Sequence, residues 1–468
     1  MIRNVKTIVA ILSAILLAET ALSSCRSCSD PLWTELSDSE VTQNTDFSGK
    51  LSVYMDASIS MKGFVTVKNS EFNRDVPIIL SDLRNKLAKK SGEDYYMVVD
   101  WNSTTKPHST TYNQFKQQMI DPTGKDYTGQ TTQVYSIIHQ ISSELKKGDI
   151  GVFITDGVLS EGYEKITKAK SDNSQFFGDL QREVKEALDV VYKHGLSMAI
   201  IRTTANYDGR YYCACNERSV PTFKDSIMIN RPYFYIMLGE DKELSKVLAS
   251  FTLKDAEKYK VSYFCRNAKN MVYSLAQTGY NAGLNSIEYP MLGDSVEDKT
   301  KLEIHLDLDG FDDDETPEVC LSIPTIEIGQ LAVLDTLILN DGDNYFTIQK
   351  ISKRECVEKV ESYSKPSEDY WQHVGMCYLL KFKKSNEIRN STNDRAECHL
   401  SFLYANPLTD NLYNIDNDMD KSLKELEGRT FGFAKFMESV KWSSFNLNMG
   451  DNDNRSKIAT IKLNIIID

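Results

Sequence analysis

The stretch Leu51–Phe64, LSVYMDASISMKGF, drives an apolar, strand-like run straight into Asp56, Ser58 and Ser60, spaced Asp-x-Ser-x-Ser. Three short oxygen-bearing side chains at a strand end add nothing to a core, but they can ligate a hard cation. Two later segments carry the same chemistry. YTGQTTQVYS offers Thr131 and Thr132 in a glycine-containing loop that feeds a helical pattern from Gln133. FITDG delivers Asp156 from an apolar run immediately before Gly157. Two carboxylates and three or four hydroxyls, with no histidine or thiolate, form a hard-oxygen set. Such a set suits Mg²⁺ (or Mn²⁺), which prefers octahedral oxygens and keeps waters or an external carboxylate in its shell. Asp-x-Ser-x-Ser alone says little, because Asp and Ser also cap helices and form turns. All three segments in order, each at the end of a strand pattern, are far more specific.

The elements that would position these residues alternate from about 47 to 251. Strand patterns occur in KLSVYM, DYYMVVDW, DIGVFITDG, LSMAIIRT and PYFYIMLG. Between them lie helical patterns: FNRDVPIILSDLRNKLAKK, expected to break near Pro77; TQVYSIIHQISSELKK, with Val134, Ile137, Ile138, Ile141 and Leu145 on one face; FGDLQREVKEALDVVYKHG, stopped at Gly195; and DKELSKVLASF. This alternation predicts an α/β domain with a doubly wound, mostly parallel sheet covered on both faces. Ligands of such sheets sit at the carboxyl ends of the strands, where all three segments fall.

Beyond about 255 the texture changes. A mixed connecting segment (252–297) precedes short alternating runs such as LEIHLDL, CYLLKFK, CHLSFLYA and KIATIKLNIII, separated by turn clusters. Residues 298–468 therefore read as a β-rich, sandwich-like domain with one helix around 421–441. Asp416, Asp418, Asp420 and Glu427 fall at calcium-loop positions, but Lys421 stands where that loop demands glycine. Ser422 with Glu425 reads instead as a capping box. No His-Glu-x-x-His, Gly-x-Ser-x-Gly or phosphate loop is present, and no acid, base or nucleophile constellation suggests an enzyme.

The 468 residues carry a net charge of −13, which argues against nucleic acid as a partner. Arg3 and Lys6 precede TIVAILSAILLA, an apolar run too short to span a membrane and of the right length for a signal peptide. It ends in Leu22-Ser23-Ser24-Cys25. This resembles the lipobox of bacterial lipoproteins, which implies a leader (1–24), an acylated Cys25, and a polar tether (25–46). The protein would then sit in the cell envelope, held to a membrane by its lipid, with the outer membrane preferred. No two of the other eight cysteines form a Cys-x-x-Cys pair with each other. Disulfides among the late ones are compatible with that compartment, with a pairing the spacing does not define.

Over roughly 47–251 the three oxygen-bearing segments resemble the von Willebrand factor A family and its metal-ion-dependent adhesion site. That likeness implies that Ser58, Ser60 and a loop threonine ligate the metal, with Asp56 and Asp156 bonding it directly or through water. Thr131 follows the Gly-x-Thr spacing better and is preferred, whereas Thr132 gives the following helix its better phase. An Asp or Glu on a protein partner would complete the shell. The implied function is binding of an acidic protein partner, with a scaffold subunit of an envelope complex as the alternative. One departure stands out. Where the family places a helix, between the strands at 196–203 and 233–238, this chain has TANYDGRYYCACNERSVPTFKDSIMINR. Leaving on the metal's rim, it could present Tyr207, Tyr211 and Tyr212 as an aromatic contact surface, or fold back on its own domain.

Overall fold

Strand β1 (Leu51–Asp56) and strand β4 (Ile150–Thr155) are apolar without alternation, and every residue of both is buried. Only strands covered on both faces tolerate that pattern. They pair in parallel, and β2 (Glu93–Val98) pairs in parallel on the other side of β1. The computed structural model describes residues 49–87, 92–98, 107–130, 132–159, 173–211, 223–252, 257–271, 273–278, 284–288, 291–292, 295–296, 301–307, 309, 316–324, 338–341, 345–361, 374–384, 387–388, 395–416, 421–449 and 455–467. The segments expected as leader and tether, Cys25 included, lie outside them together with Thr131 and Tyr212.

With β3 (His108–Thr110), β5 (Ser197–Tyr211), β6 (Phe223–Gly239) and β7 (Lys260–Phe264), the sheet has seven strands in the order β3-β2-β1-β4-β6-β5-β7. It is mixed. The parallel pairings expected from the sequence are those of β1 with β2 and β4, whereas β3, β6 and β7 pair antiparallel. The reason is local: β5 and β6 form one long hairpin instead of being joined through a helix. A parallel neighbour requires a crossover, so a direct hairpin brings β6 back antiparallel between β4 and β5.

Helices cover the sheet. A short α1 (Lys62–Thr66) follows Ser60, and α2 (Glu71–Leu87) runs unbroken through Pro77, correcting the expected break. Burial of Phe72, Val76, Leu80 and Leu83 holds it against the sheet and outweighs the one ladder bond that proline forgoes. Helix α3 (Tyr112–Met119) starts on a capping box, Thr111 with Gln114. Helix α4 (Val134–Glu144) buries Val134, Ile137, Ile138 and Ile141, as its periodicity predicts. Helix α5 (Asn173–Lys193) is followed by Gly195 at φ 77°, and α6 (Asp241–Thr252) follows β6.

The second half holds a four-stranded sheet and a six-stranded one, in keeping with the β-rich reading. Tyr378 of the first meets Phe402 of the second edge-on, 6.1 Å between ring centres. Helix α7 (Lys353–Glu361) covers the outer face of the four-stranded sheet. The helix expected around 421–441 is two: α8 (Leu423–Leu426), capped by Ser422 with Glu425 as the motif requires, and α9 (Phe433–Trp442). Helix α9 packs on α5 and stacks Phe433 on Phe234 of β6 at 5.0 Å. It covers sheet that a helix between β5 and β6 would otherwise cover. Since β7 also joins the first sheet, a boundary near 251 does not separate two cores; the buried apolar residues of both halves are continuous. Among the described residues no helix is long and apolar enough to cross a membrane.

Candidate metal centre

At the carboxyl end of β1 the chain turns sharply, and the turn is held from two sides. The Ala57 N–H donates to Val98 O of β2 at 2.8 Å, and the Ile59 N–H donates to Gly129 O at 2.7 Å. Gly129 N–H returns a bond to Ala57 O at 3.0 Å. These bonds draw the threonine loop onto the Asp-x-Ser-x-Ser turn.

Asp56 is fully buried and is the hub. Its Oδ1 accepts from the Ser58 N–H at 2.8 Å and from Thr132 Oγ1 at 2.9 Å, while its Oδ2 accepts from Thr155 Oγ1 at 2.7 Å. Ser58 Oγ and Ser60 Oγ stand 3.0 Å apart. Ser58 is buried and Ser60 half-buried, so the pair grades from interior to surface. Thr132 and Asp56 are 76 residues apart in sequence, and Thr155 and Asp56 are 99 apart. Asp156 follows β4 directly. Its Oδ1 accepts from the Val158 N–H at 3.3 Å, and Gly157 turns the chain at φ 69° against the ring of Phe234.

Of the six residues proposed as ligands, the structure thus brings Asp56, Ser58, Ser60, Thr132 and Asp156 to one rim. Of the two loop threonines, Thr132 lies among the described residues and reaches Asp56. Two participants carried no recognisable signal. Thr155 sits inside FITDG but reads as one more strand residue. Arg231 of β6 donates from Nη2 to Asp156 Oδ2 at 3.0 Å, with both side chains buried. Only an Arg-Pro step inside a strand hinted at it.

Tyr207 and Tyr211 of the hairpin pack against Arg231. Tyr207 and Tyr211 are 1% and 6% exposed, which corrects their assignment as a contact surface. The Arg231 guanidinium lies over Tyr207 at 4.2 Å, Tyr211 at 4.8 Å and Phe64 at 5.7 Å. Desolvated cation–π contacts of this kind are worth about 2 kcal/mol each at best. A glycine makes the close approach possible: a Cβ on Gly63 would stand 2.2 Å from the Tyr207 ring. Among its described residues the hairpin exposes the large apolar side chains Ile227 and Ile229.

Electrostatics follow from burial. Burial, then the neighbouring charge of Asp156, pushes the Asp56 carboxyl up to about 6, against the hydrogen bonds from Thr155 and Ser58. Burial also works against the Arg231 charge, but Tyr207, Asp156 and Tyr211 more than offset it and the guanidinium pKa rises. Two buried carboxylates on one rim, flanked by a pair of hydroxyls, fit a hard divalent cation. Among the described residues no three acidic, histidine or cysteine side chains gather to cage a metal, so an ion here would lean on serine and threonine oxygens. No family model, curated protein or solved structure matches this chain.

Proposed function

We propose that the chain is a von Willebrand factor A-type binding protein, anchored in a bacterial cell envelope through a lipid on Cys25. In this reading Asp56, Ser58, Ser60, Asp156 and a loop threonine hold Mg²⁺ or Mn²⁺. The ion supplies one exchangeable coordination position, which captures an Asp or Glu of a protein partner. The observation that carries the reading is the convergence on Asp56. Hydroxyls from two distant segments and the Ser58 N–H fix both oxygens of one buried carboxylate. A merely structural aspartate seldom justifies that much organisation at full burial, since a buried charge is costly unless compensated.

The direct test is calorimetric titration of the purified chain with Mn²⁺, beside Asp56→Ala. Saturable binding that the substitution abolishes supports the site. A folded wild type that takes up no Mn²⁺, alone or with a glutamate-containing peptide, would overturn it.

A further inference from the structure

We infer that Arg231 is a built-in counter-cation that makes metal capture conditional on an acidic ligand. The inference rests on the metal reading above and deepens it. Charge counting carries it. The rim holds two buried carboxylates, Asp56 and Asp156, and one buried guanidinium paired to Asp156. Arginine does not give up its proton in proteins, so with both carboxylates ionised the site stands at −1. A divalent ion alone takes it to +1, an uncompensated charge in a desolvated place. A ligand carboxylate on that ion returns it to zero. Buried charge is tolerated where it is neutralised and hydrogen-bonded, so metal and acid should each strengthen the other's binding.

Arg231 is fixed there by the fold. Pairing of β5 and β6 is regular up to Ala205–Arg231 and resumes only at Tyr207–Met228. Asn230, in that irregularity, has φ 63°, and its carbonyl accepts from the Gly428 N–H at 3.1 Å. Arg231 holds the last regular pair before that bulge, two residues from Tyr233 and on the same face of the sheet. The rings of Tyr207, Tyr211 and Phe64 then surround the guanidinium. One donor is left over: among the described residues Arg231 Nη1 has no acceptor, although it is buried. An acidic ligand oxygen is the kind of acceptor that would satisfy it.

The test is Mn²⁺ titration in carboxylate-free buffer of wild type, Arg231→Gln and Arg231→Lys, each repeated with saturating acetate. Melting of the metal-free proteins is followed alongside. Wild type is expected to bind Mn²⁺ weakly alone and about tenfold or more tightly with acetate, from the charge balance. Arg231→Gln, with its rim at −2, is expected to bind Mn²⁺ alone about tenfold or more tightly than wild type, to lose most of the acetate effect, and to melt lower without metal. Arg231→Lys should stay close to wild type. If wild type binds Mn²⁺ but acetate changes nothing, the inference falls even where Arg231→Gln does not fold. It falls likewise if Arg231→Gln binds as wild type or more weakly, since the arginine then only orients Asp156. Absence of Mn²⁺ binding in every protein, with and without acetate, overturns the metal reading itself.

Discussion

Two buried clusters among the described residues, one at the rim and one under helix α7, solve burial in opposite ways. At the rim, two carboxylates and a guanidinium are withdrawn from water and held by hydroxyls, backbone N–H groups and aromatic rings. Under helix α7, three thiols from the four-stranded sheet and the helix, Cys320, Cys377 and Cys356, are equally withdrawn, with Ser322 as their polar neighbour at 3.7 Å from Cys356 Sγ and 4.0 Å from Cys377 Sγ. Thiols pack as small hydrophobic groups, so the second cluster needs no counter-charge. The first does, and the chain supplies one from the far end of a hairpin. Charge that must be compensated makes a site responsive to ions, whereas neutral packing does not.

Asp56→Ala should break the comparison most completely. Without the hub carboxylate the rim loses its hydrogen-bond acceptor and its ligand together, and Mn²⁺ affinity should fall by about a hundredfold or more. The thiol cluster, in a different part of the core, should be untouched. Calorimetry with a thiol count on the same sample reads both.

Acidity should separate the clusters next. The folded pKa of Asp56 is about 6, raised from 3.8. Between those values the folded state holds a proton that the unfolded state has lost, so metal-free stability falls as pH rises from about 4 to about 6, by up to about 3 kcal/mol. Added Mg²⁺ should recover this loss above pH about 6 and do little below about 4, because the ion binds the ionised carboxylate. Thermal melts across that range, with and without Mg²⁺, give the sign. A flat profile would mean that Asp56 is already compensated.

A smaller effect tests whether both clusters sit in one cooperative unit. Phe234 and Phe433 stack across the two halves. A double-mutant cycle of Phe234→Leu and Phe433→Leu should return a coupling of about 1 kcal/mol, with a single unfolding transition throughout. Two separate transitions would instead restore the boundary near 251.

What could be read from the residues alone follows the range of the interactions. Asp56, Ser58, Ser60 and Asp156 were legible because they fall at the ends of two strand patterns, β1 and β4, a purely local arrangement. The hydrophobic phase of Val134–Ile141 fixed its helix for the same reason. Arg231 was not legible, because its role depends on hairpin register, which a single sequence leaves undefined. Tyr207 and Tyr211 were open between surface and interior until Arg231 supplied the charge that turns them inward. The sequence pattern runs α8 and α9 together as one helix, and nothing in it says that α9 covers β6.

The smallest expected effect is the sharpest control. Cys320 lies opposite Leu379, and Cys377 lies opposite Ser322, so Cys320 and Cys377 are diagonal neighbours across the strand pair. Diagonal positions stand about 7–8 Å apart, beyond the reach of a disulfide. Cys356, from helix α7, is buried in the same cluster as both. Mild oxidation by a small disulfide should therefore join Cys356 to one neighbour, giving two reduced small thiols and leaving the third cysteine free. Peptide mapping after alkylation identifies the pair, and a Cys320–Cys377 bond would contradict the register. Cys356→Ala should prevent that linkage while leaving Mn²⁺ affinity unchanged. A change in affinity would mean that the two clusters communicate through the shared core, and that the contrast between charged and neutral burial is not the whole account of what the rim senses.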